Sequence, residues 1–279
     1  MCAFLEETVH EIISGGDDGR NPSACGGLRL CGRAVSRACR AAGACLILAD
    51  EPKPMDALAE FLLARGCTDI RRADQPDMPA DLTPFKAVFM YIHGKMSPKT
   101  EKALVDYATG GGRLIILHHG IASARRANPE WLKLTGININ PREHPTHPWR
   151  VLSQTTHTLV NINPGHYITT NGVEYEREVE YRSPDGRVKE GTYKAIDLRN
   201  TEVFLNQVHT DGSAKTVLFG VRCTDPATGE VFMQDTGGWL KPAGKGWVIY
   251  LQPGHSESDF RHRAYLQIVL NCLTWTPPV

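Results

Sequence analysis

The hydrophobic positions of this chain form short apolar runs, and segments with helical spacing lie between them. Each run, such as the one over residues 44–50, is almost continuously apolar, which is typical of a strand buried on both faces of a sheet. In the intervening segments apolar residues recur every three or four positions, as in the helix that Pro54 opens and Gly66 ends. Strand and helix alternate with short links, which predicts parallel pairing through right-handed crossovers. The predicted strands of this kind cover residues 44–50, 87–93, 113–117 and 246–252.

The pattern changes in the middle of the chain. Residues 137–234 are rich in Thr, Asn, Tyr and Pro, and turn signals such as Asn171-Gly172 separate strand-like stretches. Because the buried-strand pattern returns at Val248, we interpret this region as a β-rich insertion into the same sheet. The expected fold is a doubly wound, mostly parallel, flavodoxin-like α/β sheet that forms a single domain over residues 44–279. Residues 1–43 lack a clean period and are expected to form a poorly ordered leader.

The composition excludes several classes of protein. The 279 residues carry a net charge of zero, which provides no basic surface for nucleic acid. No apolar run is long enough to span a bilayer and no secretory signal is visible, so we expect a cytoplasmic protein without a membrane partner. The eight cysteines include no CxxC pair and no structural zinc spacing, so each is expected to stay outside disulfides and zinc sites.

Polar side chains at the ends of the predicted strands are the strongest functional signal. In a parallel sheet all carboxyl ends lie at one edge, where open α/β folds bind their ligands. This edge is expected to collect Asp50, His93, His118, His119 and His255. Histidine at such a place transfers protons near neutral pH or ligates a metal. One strand-end histidine is readily explained as a cap on a carbonyl group, but so many at one edge favour a functional cleft.

Three further residues are ambiguous. Glu202 lies in a strand-like run, where a carboxylate either faces solvent or, if buried, needs a partner, and Asn206 follows it. Trp239 is interpreted either as a stacking platform for a sugar ring or as a core aromatic. No nucleophile elbow follows Leu117 and no phosphate-binding loop occurs, so neither covalent catalysis nor nucleotide binding is expected.

Several segments together are typical of one known family. They are residues 46–50, the glycine-rich turn and strand over 111–118, Trp131 with Gly136, the acidic-aromatic segment 202–204, residues 244–255 and the terminal segment 271–275. With them the chain resembles the ThuA-like family, the trehalose-utilisation proteins, whose domain is similar to class I glutamine amidotransferases. The resemblance covers nearly everything after residue 43.

The resemblance implies a glutamine amidotransferase-like fold without glutamine hydrolysis, because the amidotransferase cysteine is missing. It implies a role in carbohydrate metabolism and points to His118, Glu202 and His255, with Trp239 as a looser match. Family members tend to carry Asp-Glu-x-Tyr where this chain has Thr201-Glu202-Val203-Phe204. Any role that needs that aspartate or that phenol is therefore not implied for this chain.

We expect a sugar-modifying enzyme, a hydrolase, lyase or isomerase, that acts on a disaccharide or an oxidised sugar. The chemistry is left open between metal-free acid–base catalysis and catalysis assisted by a divalent Zn, Mn or Fe ion. A non-catalytic carbohydrate-binding or regulatory module is the alternative function. A small carbohydrate is the expected partner, and the helical faces leave surface for a homo-oligomer. The expected catalytic residues are His118, His255 and Glu202, the expected substrate contacts are Asp50, His93, His119, Trp239 and Asn206, and the candidate metal ligands are His118, His119 and His255.

Overall fold

The structure, a computed structural model, describes residues 43–126 and 128–278. The leader predicted over residues 1–43 lies outside the described residues, apart from Gly43. Within these ranges no helix combines the length and the apolar character that a membrane span requires.

One large mixed sheet organises the described part of the chain. Ten strands lie in the order β2-β1-β3-β4-β12-β11-β10-β6-β8-β7, and β5 pairs separately with β9. The strands are β1 (Cys45–Ala49), β2 (Ile70–Ala73), β3 (Ala87–Tyr91), β4 (Arg113–Leu117), β5 (Ile137–Ile139), β6 (Arg150–Asn161), β7 (Arg177–Tyr181), β8 (Gly191–Leu205), β9 (Gln207–His209), β10 (Thr216–Thr224), β11 (Val231–Ala243) and β12 (Gly246–Leu251).

The sheet has a parallel half and an antiparallel half, which meet at β12. Strands β2, β1, β3, β4 and β12 pair in parallel. Every pairing from β12 through β11, β10, β6 and β8 to β7 is antiparallel. The α/β class is confirmed. The expectation of a mostly parallel sheet is corrected, because the strands of the insertion extend the same sheet by antiparallel pairing, which needs no crossover helix.

Helices cover both faces of the parallel half. They are α1 (Pro52–Ala64), α2 (Pro98–Gly110), α3 (Pro129–Thr135), α4 (Tyr167–Thr170) and α5 (Arg263–Thr274). Alternate residues of each strand point to opposite faces, so Ile47 belongs to the core cluster that α1 and α5 cover, whereas Leu48 belongs to the cluster that α2 and α3 cover. Burial on both faces explains why the strands are almost continuously apolar.

The described cysteines follow the prediction with one exception. Cys45, Cys223 and Cys272 are free and buried, and burial raises the pKa of the Cys45 thiol to about 11. Cys67 is disulfide-bonded. This corrects the expectation that every cysteine stays outside disulfides, since spacing along the chain does not reveal which thiols meet in space.

A close backbone approach fixes the segment that follows β4. A 3-10 helix, His118–Arg126, begins directly after the strand. A Cβ atom at Gly120 would lie 2.6 Å from Met90 Sδ and 2.6 Å from Ile116 Cγ2. The carbonyl oxygen of Gly120 also accepts a 3.0 Å hydrogen bond from Trp131 Nε1. The backbone that carries His118 is therefore held tightly against the sheet.

Trp239 belongs to the core of the sheet. It lies on β11 with no exposed surface, 5.5 Å from the ring of Tyr250 between centroids. The Lys215 Nζ atom lies 4.9 Å from its ring centroid. The prediction that Trp239 contacts substrate is corrected, because strand alternation directs this side chain to the covered face of the sheet.

Replacing Gly120 with alanine should destabilise the protein by about 1–3 kcal/mol, because the new methyl group overpacks the contact with Met90 and Ile116. Urea unfolding measures this change in free energy. Gly165→Ala is the matched control, since a Cβ there meets no atom within 4 Å, and it should change stability by less than about 0.5 kcal/mol. Equal stability of the two variants would contradict the close approach.

Replacing Trp239 with phenylalanine should lower the free energy of unfolding by about 1–3 kcal/mol, because the smaller ring leaves a cavity in the core. Urea unfolding again measures the loss. If the stability stayed unchanged while sugar binding weakened, Trp239 would be a binding residue and its core position would be wrong.

Candidate active site

Three histidines meet at the carboxyl ends of two neighbouring parallel strands. His118 and His119 follow β4, and His255 lies in the loop after β12, which pairs with β4 in parallel. The ring centroids of His118 and His119 are 4.3 Å apart. The ring of His255 lies 5.3 Å from that of His118 and 5.4 Å from that of His119. The strand ends thus bring these side chains to one place.

Two irregularities in the antiparallel half place a carboxylate beside them. The register of β8 against β6 is interrupted on both sides of the pair formed by Thr155 and Thr201. Next to these interruptions, Gln154 and Asn200 have φ angles of 55° and 53°. Bulges bend a strand and re-aim its side chains, and they recur next to functional sites. Here they flank Glu202, which points toward the histidines.

The potential ligand atoms of the cluster lie close together. Glu202 Oε2 lies 3.4 Å from His255 Nδ1 and 3.8 Å from His118 Nε2. His255 Nδ1 lies 3.3 Å from His119 Nε2. Ser153 Oγ donates a 2.9 Å hydrogen bond to the other carboxylate oxygen of Glu202. We call His118, His119, Glu202 and His255 the central cluster; one ligand atom from each lies within 4.8 Å of the others.

His118 is fixed in one orientation. Its Nδ1 lies 2.6 Å from the carbonyl oxygen of Gln252, which can only accept, so Nδ1 carries the proton and Nε2 carries the lone pair. The ring of Phe204 stacks on the imidazole with centroids 4.3 Å apart. The backbone of His118 has a φ of 39°, in the left-handed region that costs about 1–3 kcal/mol for a non-glycine residue. Such strain concentrates at functional sites.

Burial and neighbouring charges keep the carboxylate ionised and an imidazole neutral. Protonated His118, whose Nε2–H then faces the carboxylate, holds the pKa of Glu202 below its usual value, together with the charge of a protonated His255 and the hydrogen bond from Ser153, although burial opposes the shift. Loss of solvent lowers the pKa of His255, and Glu202 only partly compensates. Loss of solvent also lowers the pKa of the adjacent, fully buried His157 to about 3. At neutral pH the site therefore offers a carboxylate beside a neutral imidazole.

The loop that carries His255 is tied down at two points. The backbone N–H of His255 donates a 2.8 Å hydrogen bond to Asp259 Oδ2, and the hydroxyl of Thr201 donates to the same oxygen at 2.6 Å. Tyr91 donates its hydroxyl to the carbonyl oxygen of His255 at 3.0 Å. Strands β3 and β8 therefore both position this loop.

His93 and Asp50 lie at the rim of the cluster. The ring of His93 stacks on that of His119, with centroids 4.2 Å apart and planes at 13°. Its Nδ1 lies 2.7 Å from Glu51 Oε1. The carboxylate of Asp50 accepts hydrogen bonds from the backbone N–H groups of His93 at 2.8 Å and Gly94 at 2.6 Å. Asp50 thus shapes the loop that presents His93.

Asn206 is engaged elsewhere. Its Nδ2 donates to the carbonyl oxygen of Pro148 at 2.7 Å, and its Oδ1 accepts from Gln234 Nε2 at 2.8 Å. Among the contacts of the described residues it makes no hydrogen bond to the central cluster. Neither Asn206 nor the buried Trp239 therefore joins the histidines.

Sequence reasoning missed three residues that support the cluster. Glu51 directly follows Asp50 at the end of a strand, and Gln252 directly precedes the Pro253-Gly254 turn, so both carried a usable positional signal. Asp259 begins a short 3-10 helix, Asp259–Arg261, and nothing in the local sequence indicates that its carboxylate would turn inward.

Comparison with known proteins places the chain in a family. The sequence profile of the ThuA family, described as trehalose utilisation, matches residues 48–276. A ThuA-like protein from Parabacteroides merdae superposes with a TM-score of 0.60 at 12% identity, covering 84% of this chain and 89% of that one. A ThuA-like protein from Bacteroides uniformis superposes with a TM-score of 0.55 at 13% identity, covering 83% and 89%. No curated protein matches the sequence. At these identities the structures show a shared fold, and the match to the profile over most of its length shows that the chain belongs to the ThuA trehalose-utilisation family.

Proposed function

We propose that the protein is an enzyme of carbohydrate metabolism that modifies a disaccharide or an oxidised sugar at the central cluster. The observation that carries this proposal is the meeting of three imidazoles and one carboxylate, whose ligand atoms lie within 4.8 Å of one another. Membership of the ThuA family supports the substrate class. Glutamine amidotransferase activity is not proposed, because β4 is followed by His118-His119-Gly120 and not by a nucleophilic cysteine.

The spacing of the cluster fits a divalent metal. In a tetrahedral site with ligands about 2.0–2.2 Å from the ion, neighbouring ligand atoms are roughly 3.3–3.6 Å apart. Three of the six separations in the cluster are 3.3, 3.4 and 3.8 Å, and one ligand atom from each residue lies within 4.8 Å of the others. His118 Nε2 is buried and has no hydrogen-bond partner within the described structure, as expected for an atom whose lone pair awaits a ligand. Imidazole and carboxylate suit Zn, Mn or Fe, so we propose His118, His119, His255 and Glu202 as ligands.

The residues of the site would have different roles in the reaction. A metal held here would polarise a sugar carbonyl or activate water. The Gln252 carbonyl keeps the His118 lone pair directed at the centre. His255 has a partly exposed side chain, with 34% of its surface accessible, so it is the member of the cluster that can exchange a proton with substrate or solvent. In a metal-free reaction, His118 or His255 would be the general base or acid, and Glu202 would orient it.

The position of the cluster agrees with a flavodoxin-like interpretation of the parallel half. The strand order β2-β1-β3-β4-β12 follows the order 2-1-3-4-5 of such folds, and helices cover both faces. Ligands in open sheets of this type bind outside the carboxyl ends of the strands. This supports the edge that carries the central cluster, His93 and Glu51 as the place where the sugar binds.

The alternative of a non-catalytic sugar-binding module loses its main support. Such a module relies on aromatic faces against which a sugar ring can stack. Trp239 and Tyr250 have no exposed surface, and Phe204 is only 3% exposed and stacks on His118. The faces of these three aromatic rings are therefore covered by the protein itself.

Replacing His118 or His255 with alanine should abolish turnover. It should also lower the affinity for the metal at least about tenfold, because each variant loses one ligand. Turnover is measured by mass spectrometry on a panel of disaccharides and their keto derivatives that includes trehalose. Metal content is measured by elemental analysis of the purified protein.

His147→Ala is the matched control, because His147 lies on an exposed loop, where its side chain contacts Thr146 Oγ1 and the ring of the neighbouring His144. It should retain both turnover and metal. If His118→Ala and His255→Ala folded normally and turned over substrate at the rate of the control, the central cluster would not be the active site.

A further inference from the structure

Glu51 lies between the end of β1 and the start of α1, directly after Asp50. Its carboxylate faces two histidines at once. Oε1 lies 2.7 Å from His93 Nδ1, and Oε2 lies 3.9 Å from His119 Nδ1. The opposite nitrogen of His119, Nε2, faces His255 in the central cluster. Glu51 therefore lies behind His119 as seen from the centre of the site.

The Glu51 carboxylate does not cap the helix that follows it, and the local sequence explains why. Glu51 is the N-cap residue of α1, where an acidic side chain usually accepts hydrogen bonds from the first N–H groups of the helix. Its side chain makes no such bond. Pro52 and Pro54 occupy the first and third helical positions, so two of the first three backbone donors are absent. The carboxylate is consequently directed to the histidines.

A second metal ion between Glu51, His93 and His119 is the competing explanation, since these three residues also bring ligand atoms within 4.8 Å of one another. The ring geometry argues against it. The two imidazoles are stacked with planes only 13° apart and centroids 4.2 Å apart. Nitrogen lone pairs lie in the ring plane, so the lone pairs of parallel rings run side by side and do not converge on one ion. The 2.7 Å contact of His93 with Glu51 is the length of a charge-assisted hydrogen bond.

We propose that Glu51 is the positioning residue of His119: its carboxylate bridges Nδ1 of His93 and Nδ1 of His119 and thereby directs the Nε2 lone pair of His119 into the central cluster. At 3.9 Å the contact with His119 closes to a hydrogen bond by rotation of the terminal carboxylate torsion, which is broad and costs little. Carboxylate–histidine–metal arrangements of this kind fix the tautomer and raise the basicity of the ligand.

The inference rests on the proposed function for its purpose, and it completes a pattern within the cluster. His118 is already held through Nδ1 by the carbonyl oxygen of Gln252. With Glu51 behind His119, both histidines that follow β4 present Nε2 to the centre. His255 differs, because its Nδ1 faces the cluster.

The experiment compares Glu51→Ala and Glu51→Gln with the control Glu60→Ala, an exposed carboxylate within α1 whose partner is Arg261. The first readout is ¹⁵N NMR of the metal-free full chain labelled at histidine, with His119 assigned by its loss in His119→Gln. Wild type and Glu60→Ala should show the Nδ1–H tautomer of His119, whereas Glu51→Ala should show a mixture of tautomers. The second readout is Zn²⁺ affinity by chelator competition, which should fall about 10–100-fold in Glu51→Ala and less in Glu51→Gln, since the amide keeps one acceptor oxygen.

Each result decides the role of Glu51. An unchanged His119 tautomer in Glu51→Ala, or the Nε2–H tautomer in wild type, overturns the proposal. Two Zn²⁺ ions per wild-type chain, reduced to one in Glu51→Ala, also overturn it and make Glu51 a ligand of a second ion. Failure of wild type to bind Zn²⁺ would remove the metal from the proposed function, and the metal-free NMR comparison would still decide whether Glu51 sets the tautomer.

Discussion

The site depends on one buried glutamine at the seam between the two halves of the sheet. Gln252 directly follows β12 and has no exposed surface, and its carbonyl oxygen accepts from His118 Nδ1 at 2.6 Å. Its side-chain oxygen accepts from the backbone N–H of Phe204 at 3.0 Å, two residues beyond Glu202 on β8. Its side-chain amide donates to the carbonyl oxygen of Thr236 on β11 at 3.2 Å. One residue therefore ties the histidine of the parallel half to the carboxylate strand of the antiparallel half. In a dry interior such a network is strong because the carbonyl oxygen and both side-chain polar atoms of Gln252 have partners.

This link explains how the strained backbone of His118 can be maintained. His118 adopts a positive φ that an isolated chain would avoid, and no glycine relieves it. The hydrogen bond to Gln252, the stacked ring of Phe204 and the tight packing at Gly120 together determine its conformation. In return for this strain, the lone pair of His118 Nε2 has a defined direction before any ligand binds. Preorganisation of this kind lowers the reorganisation that a bound ion or a reacting sugar would otherwise require.

Much of the fold and half of the site followed from the sequence, for identifiable reasons. Parallel strands have carboxyl ends at one edge whatever their order, so the meeting of His118 with His255 needed no knowledge of distances. The position of Glu202 was ambiguous, because it depends on bulges at Gln154 and Asn200 whose local sequences carry no distinctive signal. Trp239 was open to both interpretations, since a long strand in a mixed sheet hides one face or the other according to register. The roles of Gln252 and Glu51 come from contacts between residues far apart in the chain, which periodicity does not encode.

The contacts around Glu202 explain why residue 201 departs from the family pattern. Thr201 stands where family members tend to carry aspartate, and its hydroxyl donates to the buried carboxylate of Asp259 at 2.6 Å. Thr201 and Asp259 are only 1% and 2% exposed, so an aspartate at position 201 would bury a second carboxylate next to that of Asp259. One of them would then have to take up a proton, at a cost in stability at neutral pH. Threonine supplies a donor instead, so Asp259 remains free to hold the backbone of His255. The aspartate of the family pattern is therefore incompatible with the way this chain anchors its third histidine.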